Sequence, residues 1–236
     1  MSRRSAQSGR RAGARAPAQP ALAGLVGWYR ADQGITIATG VSQWNDLSGT
    51  GNNATQGTGA SQPTLVAASS ALGGRPALQF SGSQFLTVGS FVGFSSQPVT
   101  MYIVTQGDTV SGSLFWLDGS SGAPGRSAIL YNATGWDGFS GSHITSANSS
   151  TAAKVLAYVG NGASSALYLN SSATAIATGN AGTNYLSQLQ IGRSAVGGSN
   201  EAGLCAEILI YTQGHAAPQL SANFRYLSAR YGFLAS

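Results

Sequence analysis

The chain has 236 residues, 42% of them hydrophobic and only 8% charged, with a formal net charge of +5. That length accommodates one β domain of about 200 residues with a sizeable core, plus a short tail. The lone cysteine, Cys205, excludes an intrachain disulfide, and no apolar stretch reaches the roughly eighteen residues of a membrane-spanning helix.

The charge is unevenly placed. Arg3, Arg4, Arg10, Arg11 and Arg15 account for the whole +5, because from residue 21 onward seven basic side chains face seven acidic ones. Residues 1–20 show no apolar periodicity and are rich in Arg, Ser, Gly, Ala and Pro, so they are predicted to be disordered when free. This arm has three readings. It can neutralise about five phosphates of a nucleic acid. It can form bidentate pairs with carboxylates of a protein partner, becoming ordered as it docks. It can also be a solvated tail. The apolar run Pro20–Gly27 is short and leads directly into Trp28-Tyr-Arg-Ala-Asp32, which does not suit a secretion signal. Synthesis in the cytoplasm is the expectation.

Behind the arm the pattern is β. Short β-branched and aromatic runs recur between Gly/Ser/Asn clusters: Leu25–Arg30, Val41–Asn45, Ala77–Phe80, Gln84–Val88, Val99–Thr105, Ser113–Leu117, Lys154–Val159, Ala166–Asn170, Gln188–Gly192 and Leu204–Tyr211. Both faces of Val99–Thr105 carry bulk, which predicts a strand in the middle of a sheet covered on both sides. Cys205 falls in the last run and reads as a small buried hydrophobe. Only Pro218–Gly232 is helical, with Leu220, Phe224, Leu227 and Tyr231 on one stripe, Pro218 in the first turn and Gly232 at the C-terminal cap. It is expected to close one end of a sandwich.

The order of motifs resembles a concanavalin A-like, laminin-G-type jelly roll. The likeness is carried by Leu25-Val-Gly-Trp28-Tyr-Arg-Ala-Asp32-Gln-Gly34, then Gly40-Val-Ser-Gln-Trp44-Asn-Asp46-Leu-Ser48-Gly49, Gly74-Arg-Pro-Ala-Leu-Gln-Phe80-Ser-Gly82, and Ala206-Glu207-Ile-Leu-Ile-Tyr211 with the helix after it. It spans roughly residues 22–233 and is weakest between 107 and 150. It implies an all-β two-sheet jelly-roll sandwich over residues 21–236, with a short C-terminal helix and a basic N-terminal arm. Such domains occur in lectins, hydrolases, adhesins and virion proteins, so the resemblance bears on fold far more than on function. Trp28 and Trp44 are expected in the core, and Asp32 and Asp46 on turn amides.

Candidate sites are sparse. Glycosidases of this fold place two or three carboxylates at alternate positions of one strand, within reach of a glycosidic bond. Here the only glutamates are Glu201 and Glu207, far from any Glu-x-Asp-x-Glu run, and Glu207 is read as exposed or paired with an arginine. No nucleophile elbow, zinc motif or phosphate loop is present, His143 and His215 are isolated, and Asp118-Gly119 and Asp137-Gly138 read as turns. No catalytic residue, metal or cofactor is therefore assigned, and no enzymatic activity is expected. In Tyr131-Asn-Ala-Thr-Gly-Trp136-Asp137-Gly-Phe139, Trp136 can stack on a sugar while Asn132 or Asp137 bonds its hydroxyls.

These features are expected together in a structural protein of a tailed phage. A capsid decoration or minor capsid protein, displaying the jelly roll outside the particle, is anchored to the major capsid protein or another virion component by its arginine arm. Homotrimers are compatible with such a role, as is a less favoured contact of the arm with nucleic acid; a membrane partner is not expected. The alternative is a carbohydrate-binding, lectin-like adhesin on a tail, a fibre or a bacterial surface.

Overall fold

A computed structural model describes residues 18–94, 96–107, 113–198 and 200–232. The basic arm, with Arg3, Arg4, Arg10, Arg11 and Arg15, lies outside the described residues. Pro20 is already buried, and Ala21 exchanges hydrogen bonds with the body: its N–H donates to Asn223 and its carbonyl accepts from Tyr211. The described chain is therefore fastened to the body from Pro20 onward.

Seventeen strands and one helix follow in order: β1 (Leu25–Arg30), β2 (Ile35–Ile37), β3 (Val41–Trp44), β4 (Ala54–Thr55), β5 (Thr64–Ser69), β6 (Arg75–Ser81), β7 (Leu86–Val88), β8 (Val99–Gly107), β9 (Leu114–Asp118), β10 (Ala128–Asn132), β11 (Gly135–Phe139), β12 (His143–Thr145), β13 (Lys154–Gly160), β14 (Ser165–Leu169), β15 (Ala175–Gly179), β16 (Leu189–Ile191), β17 (Ala202–Tyr211) and α1 (Ala217–Tyr231). They form two sheets. The first runs β15-β14-β13-β8-β17-β6-β5, with β1 added beside β17; the second runs β12-β11-β10-β9-β16-β7-β4-β3-β2. Every pairing between these strands is antiparallel. The all-β sandwich with one short C-terminal helix is as expected from the sequence.

The main core fills the space between the sheets. Met101, Ile103, Leu156, Tyr158, Ile208 and Ile210 from the first sheet meet Trp44, Leu86, Trp116, Ile129, Tyr131 and Trp136 from the second. Every residue of β8 but one is buried, and it pairs with β13 on one side and β17 on the other, as its two bulky faces predict. Cys205 is buried in this core, and desolvation pushes its thiol far above its ordinary range.

A second core lies on the outer face of the first sheet, where Tyr102, Val104, Val155, Leu209 and Tyr211 receive Leu220, Phe224, Leu227 and Tyr231 of α1. The predicted stripe is correct, and Gly232 ends the helix at φ 76°, a left-handed conformation that glycine adopts without a Cβ clash. Its placement differs from expectation. The helix covers a sheet face instead of closing an end, because four large apolar side chains need an equally broad apolar surface.

Glu207 explains how the helix is held. The register of β17 shifts between Cys205 and Glu207, a bulge that turns Glu207 toward the helix while Cys205, Ile208 and Ile210 still face the main core. Its carboxylate accepts from Trp28 Nε1 at 2.7 Å, from the Tyr226 hydroxyl at 2.8 Å and from the Tyr231 hydroxyl at 2.8 Å, with Arg230 Nε 3.3 Å away. Burial pushes its pKa up, and the three donors and Arg230 work against that rise. The group is fully buried, so the expectation of an exposed Glu207 is corrected; pairing with an arginine is observed. Trp28 is only partly buried, with Arg30 over its ring, while Trp44 is fully inside. Asp46 does cap turn amides, accepting from the N–H groups of Trp28, Ser48 and Asn52 and from the hydroxyls of Ser48 and Thr50. Asp32 instead pairs with Arg30 and Arg230. Burial opposes its ionisation, but the two guanidiniums prevail and hold its carboxyl below the usual range.

Two buried bases stand out. His215 is 5% exposed, with Nδ1 at 2.8 Å from the Tyr102 hydroxyl, and burial lowers its pKa to about 4. Lys154, the only lysine, is 1% exposed with its ammonium 4.8 Å from the Trp136 ring centre. Burial lowers its pKa to about 8, against an opposing pull from Glu201.

His215 folds neutral, so its contribution to stability is complete above pH 6.5 and is lost as the pH falls toward 4. Urea titrations are expected to show about 2 kcal/mol lost from this group between pH 7 and pH 4, allowing for residual screening, with a flatter profile in His215→Gln. For Lys154, an amine-reactive ester at pH 8 should leave it unmodified in the native protein and label it in urea, as read by peptide mass spectrometry.

Candidate functional site

The two outer faces of the sandwich differ. The helix covers the first sheet, whereas among the described residues no helix packs on the outside of the second. Alternation along β11 divides its side chains: Trp136 points into the core and Gly138 packs against the Tyr158 ring, so Asp137 and Phe139 face outward. On β10, Ile129 and Tyr131 point in, and Ala128, Leu130 and Asn132 point out.

The outward residues build a small apolar patch of Phe115, Ala128 and Leu130, with Phe139 packed against it. Arg126 lies over it, its guanidinium 5.3 Å from the Phe115 ring centre and 5.4 Å from that of Phe139. The guanidinium is held from behind by Asp118: Nε donates to Oδ1 at 2.9 Å and Nη2 to Oδ2 at 2.8 Å. Asp118 is fully buried and also accepts from the N–H groups of Gly119 and Ala195 and from the Ser194 hydroxyl.

Beside the patch, Asp137 gathers three donors on one carboxylate oxygen: Asn132 Nδ2 at 2.6 Å, the Thr145 hydroxyl at 3.0 Å and His143 Nδ1 at 2.8 Å. Its other oxygen, Oδ1, is buried without a partner. The His143 ring is 55% exposed, leans on Phe139 with ring centres 4.8 Å apart, and makes its hydrogen bond through Nδ1, which leaves Nε2 free among the described residues. Ser113, Phe115, Arg126, Leu130, Phe139 and His143 enclose a cavity of about 160 Å³. A larger, shallower hollow of about 350 Å³ lies elsewhere, between Asp32, Ile35, Leu65 and Pro76.

The structure separates the three residues proposed for sugar contact. Trp136 is 2% exposed, edge-on to Tyr131, and donates Nε1 to the Ser150 carbonyl. Its expected role as an exposed stacking platform is corrected: strand alternation sends it inward. Asn132 and Asp137 lie on the opposite, outer face, where they hold His143 and Thr145. Asp137 is mid-strand and Asp118 ends a strand in an ion pair, so neither is the plain turn expected. Sequence reading missed Phe115, Arg126, Phe139 and the Asp137–His143 pair as neighbours. The signal available was the alternation of Trp136-Asp137-Gly138-Phe139, which puts Asp137 and Phe139 on one face.

No protein-family model and no curated protein sequence matches the chain. Solved structures do resemble it. A Trypanosoma rangeli sialidase in complex with sialic acid superposes with a TM-score of 0.62 at 16% identity, covering 87% of this chain and 33% of the sialidase. Domain 4 of AbnA, a GH43 extracellular arabinanase from Geobacillus stearothermophilus, in complex with arabinotriose, gives 0.62 at 13% identity, covering 84% of this chain and 97% of that domain. An arabinofuranosidase complexed with arabinofuranosyl-alpha-1,2-xylobiose gives 0.61 at 14% identity, covering 81% of this chain and 51% of the other. The likeness is one of fold. This chain spans a third of the sialidase's length, so the match concerns a part of that enzyme.

These neighbours correct one expectation. They are glycosidases or a domain of one, so the lack of paired carboxylates on one strand no longer serves to exclude enzymatic activity, and that exclusion is withdrawn.

The position of Trp136 generates a direct test. Trp136→Ala is expected to cost about 3 to 5 kcal/mol of stability, the range for a buried aromatic. A chemical-denaturation midpoint unchanged from wild type would return the ring to the surface.

Proposed function

We propose that this chain is a carbohydrate-binding β-sandwich module. The observation that carries the proposal is the cavity on the outer side of the second sheet, where Phe115, Leu130 and Phe139 meet Arg126, His143 and Ser113. Apolar side chains set beside polar groups held in place by buried partners are the elements of a small-molecule site, here on the scale of a single small ring. The match over nearly the whole of an arabinanase domain captured with arabinotriose supports the same reading.

A second reading is a virion structural role, with the body displayed on a capsid or tail and residues 1–17 as its anchor. The segregation of five arginines into the first fifteen residues favours it, since the remaining charges balance. The described chain starts on the helix side, where Ala21 meets Asn223 and Tyr211, so an anchor there leaves the open face of the second sheet outward. The two readings are compatible in one protein.

Full-length protein is expected to give saturable binding on an array of neutral plant and bacterial oligosaccharides, confirmed by calorimetry. Removing residues 1–17 should leave that binding unchanged. If the anchor reading holds, the same truncation abolishes co-sedimentation with phage particles, most visibly at low salt. Particle association without any glycan binding would favour the virion role alone.

A further inference from the structure

We propose that the Phe115–Phe139–His143 pocket takes a single uncharged sugar ring, and that it discriminates against anionic sugars. This rests on the carbohydrate-binding reading and specifies its site and ligand class. The size argument comes first: about 160 Å³ is room for roughly five waters at their liquid volume, which suits one ring and leaves the rest of an oligosaccharide to run over the sheet.

The charges decide the class. An arginine and a histidine line the cavity, which by itself suggests an acidic ligand. Each already has its counter-ion. Arg126 is clamped in bidentate fashion by the buried Asp118, which takes both Nε and Nη2. His143 is bonded through Nδ1 to the buried Asp137. An entering carboxylate would meet one guanidinium already paired with Asp118, and behind the lining the carboxylates of Asp118 and Asp137, so the pocket has no unpaired positive charge to offset the ligand's desolvation. A neutral ring meets no such penalty.

What the pairing leaves available suits hydroxyl groups. Fixing Nδ1 against Asp137 orients the imidazole and frees Nε2 for a ligand hydroxyl. The aromatic surface of Phe139, half-buried beside His143, offers an apolar surface to the C–H side of a ring. The preorganisation is built from buried groups: Asp137 and Asp118 are both fully buried, so the exposed His143 and the partly exposed Arg126 are held without a ligand present.

The test is calorimetry of full-length protein with arabinotriose, xylotriose and maltotriose as neutral probes and 3′-sialyllactose as the acidic one. It is repeated on Phe139→Ala, His143→Ala and the milder His143→Gln, with each variant's unfolding midpoint measured. We expect at least one neutral trisaccharide to bind, at least tenfold tighter than sialyllactose, with a tenfold or greater loss in Phe139→Ala and His143→Ala at near-native midpoints. Should Phe139→Ala unfold, the two His143 variants carry the test. Neutral binding that survives every variant would overturn the pocket while leaving the carbohydrate-binding reading in place. Equal or tighter binding of sialyllactose would overturn the charge argument. Failure of wild type to bind any of the three neutral sugars would overturn the pocket proposal, and failure across the oligosaccharide array as well would remove the carbohydrate-binding reading.

Discussion

The carboxylate of Glu207 is the point on which the first half of the sandwich depends. A fully buried carboxyl group is expensive unless its oxygens are hydrogen-bonded, and here three donors and an arginine meet it from different parts of the chain. Trp28 comes from the first strand, Glu207 from the last, and Tyr226, Arg230 and Tyr231 from the helix. One side chain thereby ties both ends of the folded body to the middle of a sheet. The bulge in β17 makes this possible, since strict alternation would send Glu207 into the apolar core between the sheets. Arg230 extends the same network to Asp32, and Arg75 donates to the Arg230 carbonyl. The helix is held by charge and hydroxyl contacts at its end and by apolar packing along its length.

That closure makes the two sheets unequal. The first is covered on both faces and has become scaffold. Among the described residues no helix covers the outer side of the second sheet, and its outward residues include an apolar cluster of their own. Phe115, Leu130, Phe139, Arg126 and His143 lie together there, backed by two buried aspartates. Phe115, Ala128 and Leu130 are buried there as a small cluster separate from the two main cores, with Arg126 over it.

Much of the fold was legible because it follows from period and turn chemistry. The long strands β1, β8, β13 and β17 carry enough bulk to be read directly, and the stripe Leu220, Phe224, Leu227 and Tyr231 fixes the helix and its buried face. The turn at Asp46 was readable because Asp-Leu-Ser-Gly-Thr-Gly has the donors and acceptors of a turn in sequence order. Strands β2, β4, β5, β10, β11, β12 and β15 escaped: most are short, and several are built of Ala, Thr, Gly and Asn, whose local preferences are weak. The candidate site fell among them. Trp136 drew attention as an aromatic in a polar stretch, yet period 2 assigns its neighbours Asp137 and Phe139 to the other face, and only the pairing of β10, β11 and β12 brings His143 to them. The bulge that reverses Glu207 has no local signature at all.

Charge use links the body to the segment before it. Among the described residues, Arg30, Asp32, Arg230 and Glu207 form one matched group, Arg126 and Asp118 another, and His143 and Asp137 a third. Little field is left at the body's surface to steer a charged partner, so recognition there depends on shape and hydrogen bonds at short range. The five arginines of residues 1–15 have the opposite character, a concentrated charge suited to long-range attraction that salt weakens. The chain therefore keeps two kinds of surface charge in separate stretches of its sequence. Ala21, where the described chain starts, is fastened on the helix side, away from the outer side of the second sheet.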